Sequence, residues 1–415
     1  MERVILHSDA NSFYASVECL YRPEIRDKPV AVCGDPEARH GIVLTKNQIA
    51  KRYNIKTGEA IWQAKLKCPG LVVVPPDYPL YVHFSNMLRK IYEDYSNRVE
   101  AFGLDENWLD ISNPGVTIQD GARIADEIRA RVREELGITV SIGVSFNKIF
   151  AKLGSDMKKP DATTVITREN FREKVWPLPV TDLLYVGNRT AAKLRPFGIL
   201  TIGNLADANA ETMRYKLGKN GLMLMGFAMG LDTAPVMPVT AESAIKSIGN
   251  STTLPHDIES LDDARCVYYL LSESVGARLR EHGFKTRCVS ISVRTTDLTV
   301  YSCQRAIPAT NITRDIAQTA LALFRERYAH LMPFRSVGVQ CGQLVPDSLP
   351  EQVDFFGDDA KRARAEALER ALDGLRTRFG HQVVQRGVVL TDRSYAAINP
   401  RDDHTIHPVA FLTHR

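Results

Sequence analysis

The chain has 415 residues, a net charge of +4, 44% hydrophobic and 25% charged residues. Such a length exceeds one compact core and points to two to four domains. The balance is that of a soluble globular protein, which excludes a strongly basic nucleic-acid coat and leaves any phosphate contacts to locally basic surfaces. Seven cysteines show no C-x-x-C pair and no metal-ligand spacing with histidine, so buried thiols in a reducing cytoplasm are expected. No apolar run approaches the roughly 20 residues of a membrane span. The chain opens on a strand-like run containing Asp9 rather than on a signal peptide, so the expected location is cytoplasmic.

In chain order, RVILHSDANSFYASVE predicts a buried strand over Val4–His7 that ends at Asp9, then a helix from near Ser12. KPVAVCG predicts a second strand, and GIVLTKNQIAKRYNIKTG a strand and a helix stopped at Gly58. Phe84, Leu88, Ile91 and Tyr95 recur at helical spacing. VEAFGLDENWLDIS then gives two short strands hinged at a turn. Ile118–Leu136 forms an amphipathic helix, ITVSIGVS a strand, and NKIFAKLGSDMKKP a helix stopped by Pro160. This β-α-β-β-α-β order, with an insertion after the first helix, matches a split βαβ or ferredoxin-like layout.

After Pro177 and Pro179 two short helices around glycines are expected in VTDLLYVGNRTAAKLRPFGILTIGNLA. APVMPVTAESA, residues 234–244, has two prolines and no period, and reads as a linker. A second α/β unit follows from Lys246 to about Leu344, with helices over Leu261–His282 and Ile312–Ala329. A charged amphipathic helix and a patternless tail close the chain.

The chemistry concentrates in three carboxylates. Asp9 ends the first strand, and Asp105 with Glu106 sits on the turn between two others. Apolar VEAF and WLDI flank that turn, so a charged pair there needs a reason to remain. Phosphoryl transfer to a 3′-hydroxyl uses two divalent cations about 3.5–4 Å apart. Magnesium takes hard oxygen ligands and few protein carboxylates, because substrate phosphates complete its shell. Asp110, after Trp108 and Leu109, is expected on or near the same site.

HSDANSFYASVE resembles the opening of DinB/UmuC-type Y-family DNA polymerases, GLDENWLDIS is similar to their second acidic element, and SIGVSFNKIFAKLGSDMKKP resembles their lysine-bearing block. The three occur in the family's order, and the likeness runs from Val4 to about Leu344. It implies an α+β multidomain right hand that inserts dNTPs opposite damaged or undamaged template, without proofreading. The expected division is a ferredoxin-like palm (1–21 and 77–166), small fingers (22–76), a helix-hairpin-helix thumb (167–233), the linker (234–244), an α/β little finger (245–345) and a tail (346–415).

Carried over by position, Asp9, Asp105, Glu106 and the backbone carbonyl of Ala10 hold two Mg2+ ions, and Tyr14 is the steric gate against a ribose 2′-hydroxyl. Phe13, Thr45, Gln48, Lys51 and Lys159 contact the incoming nucleotide, with Lys148, Lys152 and Lys158 as alternatives to Lys159; Ile42 and Leu44 roof the nascent base pair. Gln48 and Lys51 stand where the family usually has tyrosine and arginine, which removes a stacking ring and a bidentate fork. Lys51 followed by IKTGEAIW resembles the UmuC-like branch, while the palm block looks DinB-like.

Gly187 and Gly198 are expected to let backbone amides approach phosphates. Lys246, Arg287, Arg294 and Arg305 are expected phosphate contacts in the little finger, and Gln352, Phe355 and Phe356 form a sliding-clamp-binding peptide. The expected partners are primer-template DNA, a dNTP and a clamp, with the chain a monomer and no membrane. Two other readings keep the same body: a related palm serving a different nucleotidyl product, and a non-catalytic accessory protein.

Overall fold

The computed structural model describes residues 3–35, 41–241, 244–349, 359–396 and 398–399. It divides into two units, the first taking in Met1–Gly34 and Ile42–Glu242 and the second Ser243–Ile406.

In the first unit, β1 (Ile5–Ala10) is buried along its whole length. The strand runs past its predicted end and keeps Asp9 inside it, because both sides of β1 find hydrogen-bonding partners. Ser12, at φ +51°, turns the chain into α1 (Phe13–Tyr21). The insertion that follows is a small separate layer: β2 (Val30–Cys33), β3 (Val43–Lys46), α2 (Gln48–Lys51), α3 (Ile61–Lys67) and β4 (Val72–Val74). Its sheet has the order β3-β2-β4 and a core of Ala31, Cys33, Val43, Ala50, Ala64 and Leu71.

The chain returns through α4 (Tyr78–Glu93), β5 (Val99–Ala101), β6 (Glu106–Asp110), α5 (Ile118–Leu136), β7 (Val140–Ser145), α6 (Lys148–Met157) and β8 (Thr163–Ile166). The five strands with β1 take the order β5-β6-β1-β7-β8, and only β7 and β8 are parallel. α5 starts at a Thr117–Asp120 capping box and ends at Gly137 in the left-handed region. Its stripe of Ile118, Ala125, Ile128, Val132 and Leu136 joins Leu6, Leu109, Ile142 and Val144 in the main core.

The opposite face of the sheet receives α6. Gly143 makes that possible: a Cβ there would lie 1.9 Å from the carbonyl oxygen of Ala151, and Gly154 comes within contact of Gly143 in turn. Backbone therefore packs on backbone, and α6 sits closer to β7 than any side chain would allow. Short helices α7 (Phe171–Val175), α8 (Asn188–Leu194), α9 (Ile202–Ala206), α10 (Ala210–Leu217) and α11 (Lys219–Ala228) follow. The prolines of segment 234–239 bar a helix, and the segment is strapped onto this unit. Ala234 and Val239 accept from Arg3 and Arg89 at 2.7 and 3.2 Å, and Val236 is buried against Ile5 and Trp108.

The second unit contains β9 (Ile248–Ile258), α12 (Leu261–Glu281), β10 (Phe284–Thr295), β11 (Val300–Thr310), α13 (Thr313–Arg327) and β12 (Phe334–Pro346). Its antiparallel sheet has the order β11-β10-β12-β9. Val289, Ile291, Val293, Val337 and Val339 meet α12 and α13 in the second core. α14 (Asp359–Phe379) docks through charge: Asp373 with Arg280 at 2.5 Å, Glu366 with Lys285 at 2.8 Å, and Arg376 with the buried Glu273 at 3.0 Å. The patternless tail contributes Val389 and Tyr395 to the second core, Tyr395 fully buried.

Candidate active site

Asp9 and Glu106 are direct cross-strand partners in the β1–β6 register, and the amide of Ala10 donates to the Asp105 carbonyl at 3.0 Å. The three predicted carboxylates thus meet at one end of the central strands. Asp9 also pairs with Ser141 on β7, so its backbone is fixed from both sides. Asp110 is not among them. It shares the face of Glu106 but partners Ile5, four residues down β6, and binds Arg98 at 3.7 Å. A strand rises about 3.4 Å per residue, so the separation along β6 is about 14 Å.

Burial makes this group electrostatically unusual. Burial is the main force on Asp9, opposed by Lys159 and reinforced by the charges of Glu106 and Asp105, and its carboxyl is pushed up to about 7. Asp105 rises to about 6, first by burial and then by the charge of Glu106. Glu106 goes the other way: burial would raise it, but His7 and Lys152 together bring it down to about 2. His7 is fully buried and drops to about 4 for that reason, a neutral ring at neutral pH.

The close seat of α6 brings its polar side chains to this end. Lys159, just past the helix, lies 2.6 Å from Asp9 Oδ2 and 2.7 Å from Asp156, which hold its proton against the effect of burial. Lys152 is ion-paired to Glu106 Oε2. Lys148 is committed elsewhere, to Glu100 at 2.6 Å and over the Trp108 ring at 4.4 Å, and Lys158 is exposed. Of the four lysines, Lys159 is the one at Asp9.

Among the described residues no three His, Cys, Asp or Glu side chains converge as a ready metal cage. Lysine ammoniums stand at Asp9 and Glu106 in this state. The donor set is nonetheless hard oxygen, and Asp9 and Asp105 are acids raised chiefly by burial and by their neighbouring carboxylates. That fits divalent cations whose shells a substrate would complete.

Beside the acids, Tyr14 stacks on Tyr81 with ring centroids 4.2 Å apart and an 8° interplanar angle, and Tyr78 meets it edge-on at 6.0 Å. Burial and the charge of Asp105 raise its hydroxyl. Phe13 is buried beside it. In the insertion, Ile42 is exposed, and a bulge at Leu44 sets Thr45 opposite Val32 and Val43 opposite Cys33, so Thr45 and Val43 face opposite sides of the small sheet. Asn47 caps α2 by accepting from Ala50, and Gln48 at its start donates to Ser12 Oγ over 3.4 Å. Lys51 loses proton affinity through burial, then through repulsion from Lys159 and Lys46, with Asp9 opposing. Three ammoniums therefore feel one another beside the acids.

His7, Ser155 and Lys46 were not singled out by the sequence. The available signal for His7 was its spacing of two from Asp9 on one strand, which fixes a shared face. Lys46 carried the same spacing of two from Leu44.

Elsewhere, Gly187 precedes α8 with open space at its Cβ, and Gly198 is left-handed at φ +72°. Lys246, Arg287 and Arg294 are exposed. Arg294 pairs with Val300 and Ser336, on the face that α12 and α13 leave open. That face holds a groove of about 530 Å3 lined by Ser290, Ser292, Gln304, Gly338 and Gln340. Arg305 does not join it. Its partner is Val289, which faces the helices, and it binds Glu326 of α13 at 2.5 Å. Gln352, Phe355 and Phe356 lie outside the described residues.

Three family models match the chain: the impB/mucB/samB family over residues 8–156, that family's C-terminal domain over 245–355, and its HHH motif over 168–199. A DNA polymerase IV of Acetivibrio thermocellus is 53% identical across 95% of this chain and 99% of its own length. DNA polymerase IV of Moorella thermoacetica is 38% identical across 93% and 96%. Among solved structures, a Y-family DNA polymerase chimera superposes with a TM-score of 0.73 at 22% identity, covering 83% of this chain and 99% of that one. DinB from Sulfolobus solfataricus gives 0.54 at 24% identity, covering 82% and 98%.

Proposed function

The chain belongs to the impB/mucB/samB family, the Y-family DNA polymerases, and from that premise we propose how its residues divide the work of copying DNA. It is a metal-dependent, DNA-directed DNA polymerase of the translesion type, acting on template DNA and dNTPs without proofreading. The observation that carries the assignment of its site is the register of Asp9 opposite Glu106, with Asp105 bonded to the next residue of β1.

In our reading residues 1–21 and 77–166 are the palm, 22–76 the fingers, 167–233 the thumb and 245–345 the little finger, joined through 234–244. Asp9, Asp105, Glu106 and the carbonyl of Ala10 hold two Mg2+ ions. Bound there, the metal supplies activation of the primer hydroxyl and neutralisation of the triphosphate. The protein's own part is to keep the acids fixed on paired strands and to offer cations to the phosphates. Lys159 releases Asp9 and turns to the triphosphate, with Lys51 and Lys46 extending the positive wall. Gln48 and Thr45 complete this side of the pocket. Tyr14, held by its stack on Tyr81, lies under the sugar with Phe13 behind it and excludes a 2′-hydroxyl.

Ile42 and Leu44 roof the base pair. Lys246, Arg287 and Arg294 grip phosphates without reading sequence, as do the amides around Gly187 and Gly198. Gln352, Phe355 and Phe356 engage a sliding clamp, and the enzyme works as a cytoplasmic monomer. The test is primer extension with Mg2+ and dNTPs beside an Asp105→Ala/Glu106→Ala control. Templated extension lost in the control supports the site; extension that persists there removes it.

A further inference from the structure

We propose that His7 is a positioning residue for synthesis: sealed beneath the acidic end of the sheet, it fixes the Oε2 edge of Glu106 and so presents Oε1 outward. The proposal rests on the reading of Glu106 as a metal ligand.

The geometry around the ring is specific. His7 has no exposed surface, lies two residues before Asp9 on β1, and sits opposite Trp108 and Gly143 in the flanking strands. Its ring meets Trp108 edge-on, centroids 5.1 Å apart. Both ring nitrogens face polar atoms: Nδ1 lies 2.8 Å from Ser155 Oγ, and Nε2 lies 3.3 Å from Glu106 Oε2. Ser155 reaches the ring because Gly143 lets α6 settle on the sheet.

The hydrogen positions follow from charge. The Nε2–Oε2 contact lies within ion-pair distance without hydrogen-bond alignment, and because a carboxylate oxygen accepts only, the tautomer that serves Glu106 is the one with its hydrogen on Nε2. In a neutral ring Nδ1 is then an acceptor and needs a donor. Ser155 has one hydroxyl hydrogen and two acceptors in reach, Nδ1 and the Lys152 carbonyl at 2.7 Å. In this structure that hydrogen goes to the Lys152 carbonyl; turned to Nδ1 instead, it would lock the tautomer that serves Glu106.

Lys152 also holds Oε2, but from a long side chain that can follow a phosphate away. His7 cannot leave. An aromatic residue that merely filled this space would have no reason to aim a nitrogen at the acid, and there the two explanations part. Ligand-orienting partners of this kind typically carry 10–100-fold in metal affinity or activity.

The test compares His7→Phe with His7→Gln in the full chain. Mn2+ is the probe, titrated by electron paramagnetic resonance into the complex with primer-template and a non-hydrolysable dNTP. Single-nucleotide kcat, the KM for dNTP and the melting temperature are measured alongside. His7→Phe should weaken Mn2+ binding and lower kcat by about 10–100-fold while leaving KM nearly unchanged. His7→Gln, whose amide N–H can still reach Glu106, should recover most of both. Mn2+ binding by His7→Phe equal to the parent overturns the proposal, and so does equal impairment of the two variants, whatever their melting temperatures. If Glu106→Ala keeps full activity, the ligand reading fails and this proposal with it. If Glu106→Ala is inactive while His7→Phe matches the parent, only the role of His7 falls.

Discussion

The second unit runs strand, helix, strand, strand, helix, strand, and the first repeats that order once its β2–β4 insertion and the α6–β8 extension are set aside, yet their sheets are ordered differently. In the first unit the leading strand β1 lies between β6 and β7, whereas in the second unit β9 lies at the edge and β10 and β12 take the centre. A central leading strand has its backbone pinned on both sides, so Asp9 meets Glu106 without freedom to drift. The second unit's central strands instead show Ser290, Ser292, Gly338 and Gln340 on an open face. One sheet confines charge at a point; the other spreads small polar groups over a surface. In the proposed division of work, chemistry and grip ask opposite things of a sheet, burial with fixed register in one and exposure with low relief in the other.

The strongest way to break this contrast is to disturb the close packing behind the acids. Gly143→Ala places a Cβ against the Ala151 carbonyl and must lift α6, with Lys152, Ser155 and Lys159. Misplacement of catalytic groups by about 1 Å can cost about 100-fold, and a loss of that size is expected in single-nucleotide insertion. Gly342→Ala in β12, where a Cβ meets nothing within 4 Å, should leave insertion unchanged.

Acid–base behaviour sharpens it next. Asp9 and Asp105 are raised from an ordinary 3.8 to about 7 and about 6 without metal. For these two groups, metal-free stability is full below about 4 and is lost as pH rises towards 7. Metal binding requires their charged forms, so it releases protons and weakens as pH falls. The rise in melting temperature on adding Mg2+ should therefore be clearly larger at pH 8 than at pH 6, as differential scanning fluorimetry would record. Glu106 and His7 run oppositely: they are lowered from 4.5 to about 2 and from 6.5 to about 4, and their contribution is lost on acidification.

A smaller effect is expected at Tyr14. Tyr14→Ala removes the ring above Tyr81 and should raise rNTP insertion relative to dNTP by about tenfold or more, since about 1.4 kcal/mol of lost exclusion is tenfold in rate. Parallel primer extensions with each nucleotide set would show it. The smallest change belongs to the other sheet. Arg294→Ala should weaken primer-template binding a few-fold and reduce the salt slope of log K by about one, with kcat at saturating DNA intact.

Sequence alone made the acids legible, because Asp9 and Glu106 stand at strand ends, the apolar runs VEAF and WLDI flank the Asp105–Glu106 turn, and the blocks around them resemble the family's. It misplaced Asp110 and Arg305 for a related reason. Alternation tells which residues share a face, but the distance along the strand and the face that helices cover depend on register and packing. His7 stayed hidden because its meaning lies in Ser155 and Glu106, 148 and 99 residues away in sequence. The docking of the tail was equally unreadable, since the ion pairs of α14 with Arg280, Lys285 and Glu273 are set by tertiary structure.

The most direct measurement takes Asp9→Asn and reads primer-template affinity and single-nucleotide insertion in the same samples. Several kcal/mol of lost metal-assisted stabilisation predicts insertion down by about a thousandfold, with DNA affinity within about twofold of the parent. Insertion that survives the substitution, or DNA affinity that falls in step with it, would contradict the division between a sheet for chemistry and a sheet for grip.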